Sequence, residues 1–218
     1  MQYGELKKLI VVITGFVLLL VVFIVFMQYR NSFSKINVQL TNTSSVSLYK
    51  INDQSAELPD TTEYKDKTPD LTITNNGVYK ISKGLYAYFT QPINTDFEAQ
   101  SGIINTAEDK ELLINPSLTN SKLDAIYATE KNNILSTLLS TYPNQMQNYT
   151  LEYGRVYVDG NWFGGYLVPK DGSDKLQVVL RKSNNTWEIA AKPNITISSA
   201  QYPDIPIEVT EAINIRPF

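Results

Sequence analysis

Nineteen consecutive residues, Leu9 to Met27, contain no charged side chain. The run reads LIVVITGFVLLLVVFIVFM, with Thr14 its only polar residue and Gly15 its only small one. Coiled as a helix at about 1.5 Å per residue, it spans roughly 28 Å, the hydrocarbon thickness of a bilayer. A buried core helix carries polar residues at some positions. A cleaved secretory signal needs a shorter apolar core and a small-x-small site, which Met27-Gln28-Tyr29-Arg30 does not offer. The run therefore predicts one transmembrane helix, with Leu9, Phe16, Leu19, Phe23 and Phe26 among its lipid-facing side chains. The chain has no cysteine, which removes the lipoprotein type of anchor.

Charge orients the anchor only slightly. Lys7 and Lys8 precede it, opposed by Glu5; Arg30 and Lys35 follow it. An eight-residue head (1–8) before the span and a long body after it suit a cytoplasmic N-terminus and an extracytoplasmic body. From Ile36 onward the chain has 15 Lys and Arg against 21 Asp and Glu, a net of −6. Such a body gains nothing on an anionic cytoplasmic leaflet. The same balance offers no basic stripe to neutralise phosphates, so nucleic acid is not an expected partner. The expected partners are the lipid bilayer and other envelope proteins.

Histidine is also absent. No Ser-His-Asp or Cys-His nucleophile can be assembled, and His/Cys zinc sites are excluded. Acid–base chemistry would fall to carboxylates, Lys or Tyr. No cofactor or metal is expected, and the chain reads as a non-enzyme.

After a short polar stalk (28–35) the hydrophobic period changes. Ile36-Asn37-Val38-Gln39-Leu40 alternates apolar and polar, as does Val46 to Ile51. Ser55 to Pro69 is charged and proline-bounded, a loop. Leu71 to Ile73, Val78 to Ser82, Leu85 to Thr90, Ile103-Ile104 and Glu111 to Ile114 continue the strand series, and Asn76-Gly77 reads as a two-residue hairpin turn. These strands predict a small antiparallel β-sandwich over 36–118. Between Thr119 and Thr141, Leu123, Ile126, Tyr127, Ile134, Leu135, Leu138 and Leu139 recur at helical spacing. Thr119 or Ser121 is the candidate N-cap, and Pro143 lies just past the stop. Strands follow at Tyr149 to Val158, Asn161 to Val168, Lys175 to Lys182 and Thr186 to Ala191, turned by Asp159-Gly160, Asp171 to Asp174 and Ser183 to Asn185. The expected class is thus α+β: an N-terminal transmembrane helix, the sandwich, then, over 119–218, one helix packed on an antiparallel four-stranded meander.

Two resemblances sharpen this outline. The residues Asn76-Gly77-Val78-Tyr79-Lys80-Ile81 and Gly84-Leu85-Tyr86-Ala87-Tyr88, with a last strand into Asn115-Pro116-Ser117, resemble PEGA-type β domains of bacterial and archaeal surface proteins, although the namesake tetrad is missing. That likeness implies a stalk or adhesion module without an active site. Asp159-Gly160-Asn161-Trp162, Leu176 to Lys182 and Thr186-Trp187-Glu188-Ile189 are similar to the NTF2-like and cystatin-like helix-on-sheet domains, with one helix where NTF2-like domains usually have more. Over its whole length the chain resembles uncharacterised single-pass envelope proteins of reduced-genome candidate-phylum bacteria.

Trp162, Tyr166 and Trp187 are the candidate ligand or partner surface, since sugars and aromatic ligands stack on such rings. Packing beneath the helix is the competing and stronger explanation. Glu108, Asp109 and Glu111, and Asp171 with Asp174, could offer oxygens to calcium but match no calcium-loop spacing. Ser47 and Lys50 fit an S-x-x-K string by coincidence, because alternation puts them on opposite faces of a strand. The four Asn-x-Ser/Thr sequons, at Asn42, Asn148, Asn184 and Asn194, are what an asparagine-rich chain produces by chance. The expected function is a non-enzymatic binding or envelope-assembly module at the outer face of a membrane. Its alternatives are a scaffold of a secretion or conjugation apparatus, and a ligand-binding or carboxylate-based enzyme using the concave sheet, with Glu152 or Glu188 as its inward carboxylate.

Overall fold

The computed structural model describes residues 3–51, 64 and 67–215, with the backbone alone over 3–12. The chain divides into two compact units: Met1–Ile93 with Ala99–Asn115, and Asn94–Glu98 with Pro116–Phe218.

The first unit begins with α1 (Tyr3–Asn31), a continuous helix. Its described apolar stretch, Ile13–Asn31, has a mean hydropathy of 2.1 with none of it buried. Phe16, Leu19, Phe23 and Phe26 are 58–69% exposed, whereas the Leu9 side chain lies outside what is described. The helix is long and apolar enough to span a membrane. No stalk separates it from the body. Gln28 to Asn31 contain no helix breaker and extend α1, and β1 (Phe33–Leu40) starts after one residue. The strand begins before Ile36 because Ser34 occupies an inward position. Its hydroxyl donates to the Thr106 carbonyl at 2.7 Å, and that buried polar residue disguises the alternation in the sequence.

Two sheets face each other. One has the order β4 (Gly77–Ser82), β1, β7 (Lys110–Ile114); the other β3 (Leu71–Ile73), β2 (Thr43–Ile51), β5 (Leu85–Pro92), β6 (Ser101–Asn105). Ile36, Val38, Ile81, Leu112 and Ile114 of the first meet Val46, Leu48, Ile73 and Tyr86 of the second in one core. This is the expected sandwich with two corrections. The β1–β7 pair is parallel. Asn76-Gly77 is not a hairpin: β3 pairs with β2 and β4 with β1, so the turn carries the chain from one sheet to the other. Its chemistry is nonetheless used, since Gly77 has φ 155° and the Asn76 carboxamide accepts the Leu40 N–H at 2.7 Å. Much of the expected Ser55–Pro69 loop lies outside the described residues, but Tyr64 is buried against Tyr49, Ile51 and Ala87 on the outer face of the second sheet.

The second unit carries α2 (Asn120–Thr141), α3 (Pro143–Asn148) and a four-stranded antiparallel sheet, β11 (Thr186–Asn194), β10 (Leu176–Ser183), β9 (Trp162–Pro169), β8 (Tyr149–Tyr157). Thr119 is the N-cap, its hydroxyl accepting the Lys122 N–H at 3.3 Å. The unit starts at Pro116, not at residue 119, and it takes in 94–98: Asp96 accepts the Thr119 N–H at 2.8 Å and pairs with Lys122 at 2.7 Å. The Asp159-Gly160 turn is a four-residue loop, because Tyr157 pairs with Trp162, and three successive residues (Val158, Asp159, Gly160) have positive φ.

The largest departure from expectation is α4 (Ile207–Ile215). The meander carries helices on both faces. Ile134 and Leu138 of α2 pack with Val156, Phe163, Leu167, Val178, Leu180 and Trp187 on one side. Val209 and Ile213 of α4 pack with Val179, Ala191, Ile197 and Ile205 on the other.

Candidate functional site

Alternation along β9 separates the candidate rings. Phe163 and Leu167 point toward α2, while Trp162 and Tyr166 point toward α4. Tyr166 is 2% exposed and its hydroxyl donates to the Ile213 carbonyl in the last turn of α4. Trp187, 3% exposed, lies on the opposite face, edge-on to Phe163 at 6.5 Å. The three residues therefore form no common surface, and the sheet face opposite α2 is covered by α4. Trp162 alone keeps access, lining a hollow of about 290 Å³ with Arg181, Tyr202 and Asp204.

Sequence reasoning missed how α4 is held. Gln177, buried at a β-bulge in β10, donates to the Ile213 carbonyl at 3.2 Å and to Asn214 Oδ1 at 2.9 Å, and accepts the Ile197 N–H at 2.6 Å. Asn214 donates back to the Ile197 carbonyl at 2.9 Å. Gln177 and Tyr166 together satisfy a carbonyl that the end of a helix would otherwise leave bare. Gly164 makes the close approach possible, since a Cβ there would lie 2.7 Å from Ile213 Cγ2.

On the other face the deepest polar cluster centres on Glu130. Ile126, Glu130, Ile134 and Leu138 follow one another at four-residue spacing along α2, so Glu130 is a carboxylate set into the apolar stripe. One carboxylate oxygen lies 2.7 Å from Lys182 Nζ of β10. The other accepts Trp187 Nε1–H of β11 at 2.9 Å and Asn133 Nδ2 at 3.0 Å. The side chains of Lys182 and Glu130 are 19% and 16% exposed. The hydrogen bond from Lys182, then those from Asn133 and Trp187, hold the Glu130 carboxyl down at about 2, against an opposing push from burial. The cluster borders a hollow of about 340 Å³ lined also by Lys122, Thr129, Asp159 and Asn161. A carboxylate held that low is a poor general base and no general acid at neutral pH. The arrangement can brace α2 against β10 and β11.

The carboxylates proposed for an enzyme lie elsewhere. Glu152 and Glu188 are exposed, and Glu188 forms a surface pair with Arg181 at 3.5 Å. Asp171 accepts the Ser173 N–H and hydroxyl at 3.1 and 2.8 Å, which holds its pKa below the usual carboxylate range in a solvated turn. Asp109 accepts the Lys35 N–H and Glu111 the Gln39 amide, so both carboxylates are engaged by β1. Among the described residues no three acidic side chains converge as metal ligands. A third hollow, about 280 Å³, opens at the start of α2 between Arg155, Asn120, Tyr157 and Glu208; Arg155 donates to Asn120 there, and its buried Nε has no partner among the described residues.

No family model matches this chain, and no curated protein does. Among solved structures it is similar to a DUF3823 family protein from Parabacteroides merdae, at 11% identity and a TM-score of 0.27, over 68% of this chain. The likeness spans 58% of that protein's length. At this score it is a distant structural neighbour and carries no argument about function.

Proposed function

We propose that this chain is a single-pass, membrane-anchored extracytoplasmic protein whose two units serve binding or envelope assembly rather than catalysis. The observation that carries the reading is the exposure of α1. From Ile13 to Met27 its apolar side chains are exposed, with none of the stretch buried among the described residues, and burying them in lipid is worth on the order of 1.5–3 kcal/mol for each large residue. The exclusion of a catalytic role is supported by residue chemistry. The chain has neither His nor Cys, its most buried ionised carboxylate among the described residues is locked in a structural network, and α4 fills the sheet face where a pocket was expected. The sandwich in this reading is a PEGA-like stalk or adhesion module and the second unit an NTF2-like or cystatin-like helix-on-sheet domain.

The test is purification of the full chain from its native membrane after brief crosslinking. Specific co-purifying envelope proteins are the expected result. A clean monomer carrying a stoichiometric small molecule would overturn the assembly reading in favour of ligand binding.

A further inference from the structure

The end of the first unit from which α1 emerges gathers cations that are far apart in sequence. Arg30 lies in the last turn of the helix. The Ser32 carbonyl accepts the Lys83 N–H at 2.9 Å, which puts Lys83 beside the helix end. Lys35 and Lys80 are directly opposite each other in the β1–β4 ladder. Like charges facing each other across a ladder repel unless an anion or solvent sits over them. The Lys80 ammonium stands 4.2 Å from the centre of the Phe33 ring and 5.6 Å from that of Tyr29. Those two rings meet edge to face at 5.1 Å. Arg30, Lys35, Lys80 and Lys83 are exposed, and none forms an ion pair with a described residue. The Asp109 carboxylate accepts the Lys35 backbone N–H at 2.8 Å.

Position identifies the ligand. Tyr29 is two residues beyond Met27, where the apolar run ends, so the cluster lies at headgroup depth when α1 spans a bilayer. Aromatic rings and basic side chains are the groups that settle in that layer. Lys80 and Lys83 reach it only through folding, because more than fifty residues separate them from the span. We infer that Arg30, Lys35, Lys80 and Lys83, ranged around Tyr29 and Phe33, form a collar that binds the phosphates of anionic phospholipids in the leaflet from which α1 emerges. The collar holds the first unit against the membrane surface.

This rests on α1 spanning the membrane, so alkaline carbonate extraction of membranes carrying the full chain comes first. Release into the supernatant overturns the anchor and the collar together. With the anchor retained, native mass spectrometry of the full chain exchanged into micelles containing equal phosphatidylglycerol and phosphatidylcholine reads lipid selectivity directly. The expected result is preferential retention of phosphatidylglycerol. Reversal of two charges in Lys80→Glu/Lys83→Glu lowers that preference about tenfold. Lys131→Glu/Lys192→Glu, at exposed lysines of the second unit, leaves it unchanged. Lys80→Gln/Lys83→Gln gives an intermediate value and guards against misfolding of the reversed variant. Equal retention of the two lipids by the unmodified chain overturns the collar alone. An undiminished preference in both Lys80/Lys83 variants overturns it equally.

Discussion

Glu130 shows what one residue contributes when three elements converge on it. Its carboxyl titrates at about 2 instead of the ordinary 4.5, because Lys182, Asn133 and Trp187 all favour its ionised form. The group is depressed in the folded state. Its contribution is therefore complete above pH 4.5 and is lost as the pH falls toward 2, amounting to about 3 kcal/mol at most. Glu130→Gln keeps the size and the capacity to accept from Trp187 but removes the charge that faces Lys182. We expect it to lower stability at pH 7 by about 1–3 kcal/mol and to flatten the acid side of the stability profile between pH 4.5 and 2. Denaturant titrations followed by tryptophan fluorescence read both effects, since Trp162 and Trp187 lie in this unit. A variant whose stability changes with acid exactly as the unmodified chain does would remove Glu130 from the account. Gly164 poses a steric question at the same scale. Its missing side chain is the space that Ile213 fills, and a β-branched methyl cannot swing away. Gly164→Ala should cost about 1–3 kcal/mol by overpacking, whereas Ala128→Gly, at an exposed position on α2, should cost only about 1 kcal/mol through helix propensity.

At the scale of the element, α4 decides what the second unit can do, and it was the element least visible in the sequence. Ile207-Glu208-Val209-Thr210-Glu211-Ala212-Ile213 is rich in β-branched residues, which favour strands, and so offers no confident helical composition. The signals that were present are positional: Pro206 just before the start, Glu208 in the first turn, and Val209 with Ile213 one turn apart. What fixes the helix is tertiary and comes from Gln177 and Tyr166, residues that no local pattern connects to it. The strands were legible because each buries one face and so alternates. Their partners were not, since Asn76-Gly77 specifies a turn but not which sheet receives the next strand. Of the candidate site, Trp162, Tyr166 and Trp187 stand out in the sequence as rings, but their assignment to opposite faces depends on where two helices dock. Glu130 went unmarked, although its place between Ile126 and Ile134 at four-residue spacing, a charge set into an apolar stripe, is the signal that could have found it. Val209→Asp should undock α4 and uncover the surface formed by Val179, Ala191 and Ile197. Hydrogen exchange would then lose protection over 207–215 while α2 keeps its own, and an apolar dye would bind the variant. Unaltered protection in α4 would mean that the Gln177 and Tyr166 hydrogen bonds, not the apolar face, hold it.

For the whole molecule the open quantity is the side of the membrane on which the body lies. Loop charges decide little here, with Lys7 and Lys8 on one side of the span and Arg30 and Lys35 on the other. The cations that folding adds at Lys80 and Lys83 arrive too late to influence insertion, since orientation is set by residues close to the span. They hold the body against whichever leaflet it emerges from and are silent on which one that is. The acidic balance of the body, −6 from Ile36 onward, does not choose between the leaflets once the collar faces the lipid. The absence of cysteine makes the question directly measurable, because any thiol introduced is the only one in the chain. Ser199→Cys lies at an exposed turn of the second unit, and Gln2→Cys precedes the span. With the body extracytoplasmic, a membrane-impermeant maleimide added to intact cells modifies the Ser199→Cys chain and spares the Gln2→Cys chain until the membrane is permeabilised. The opposite pattern reverses the topology and moves every proposed envelope partner to the cytoplasmic side. Labelling of both before permeabilisation would show that α1 does not cross the bilayer, and the extracytoplasmic reading would fall with it.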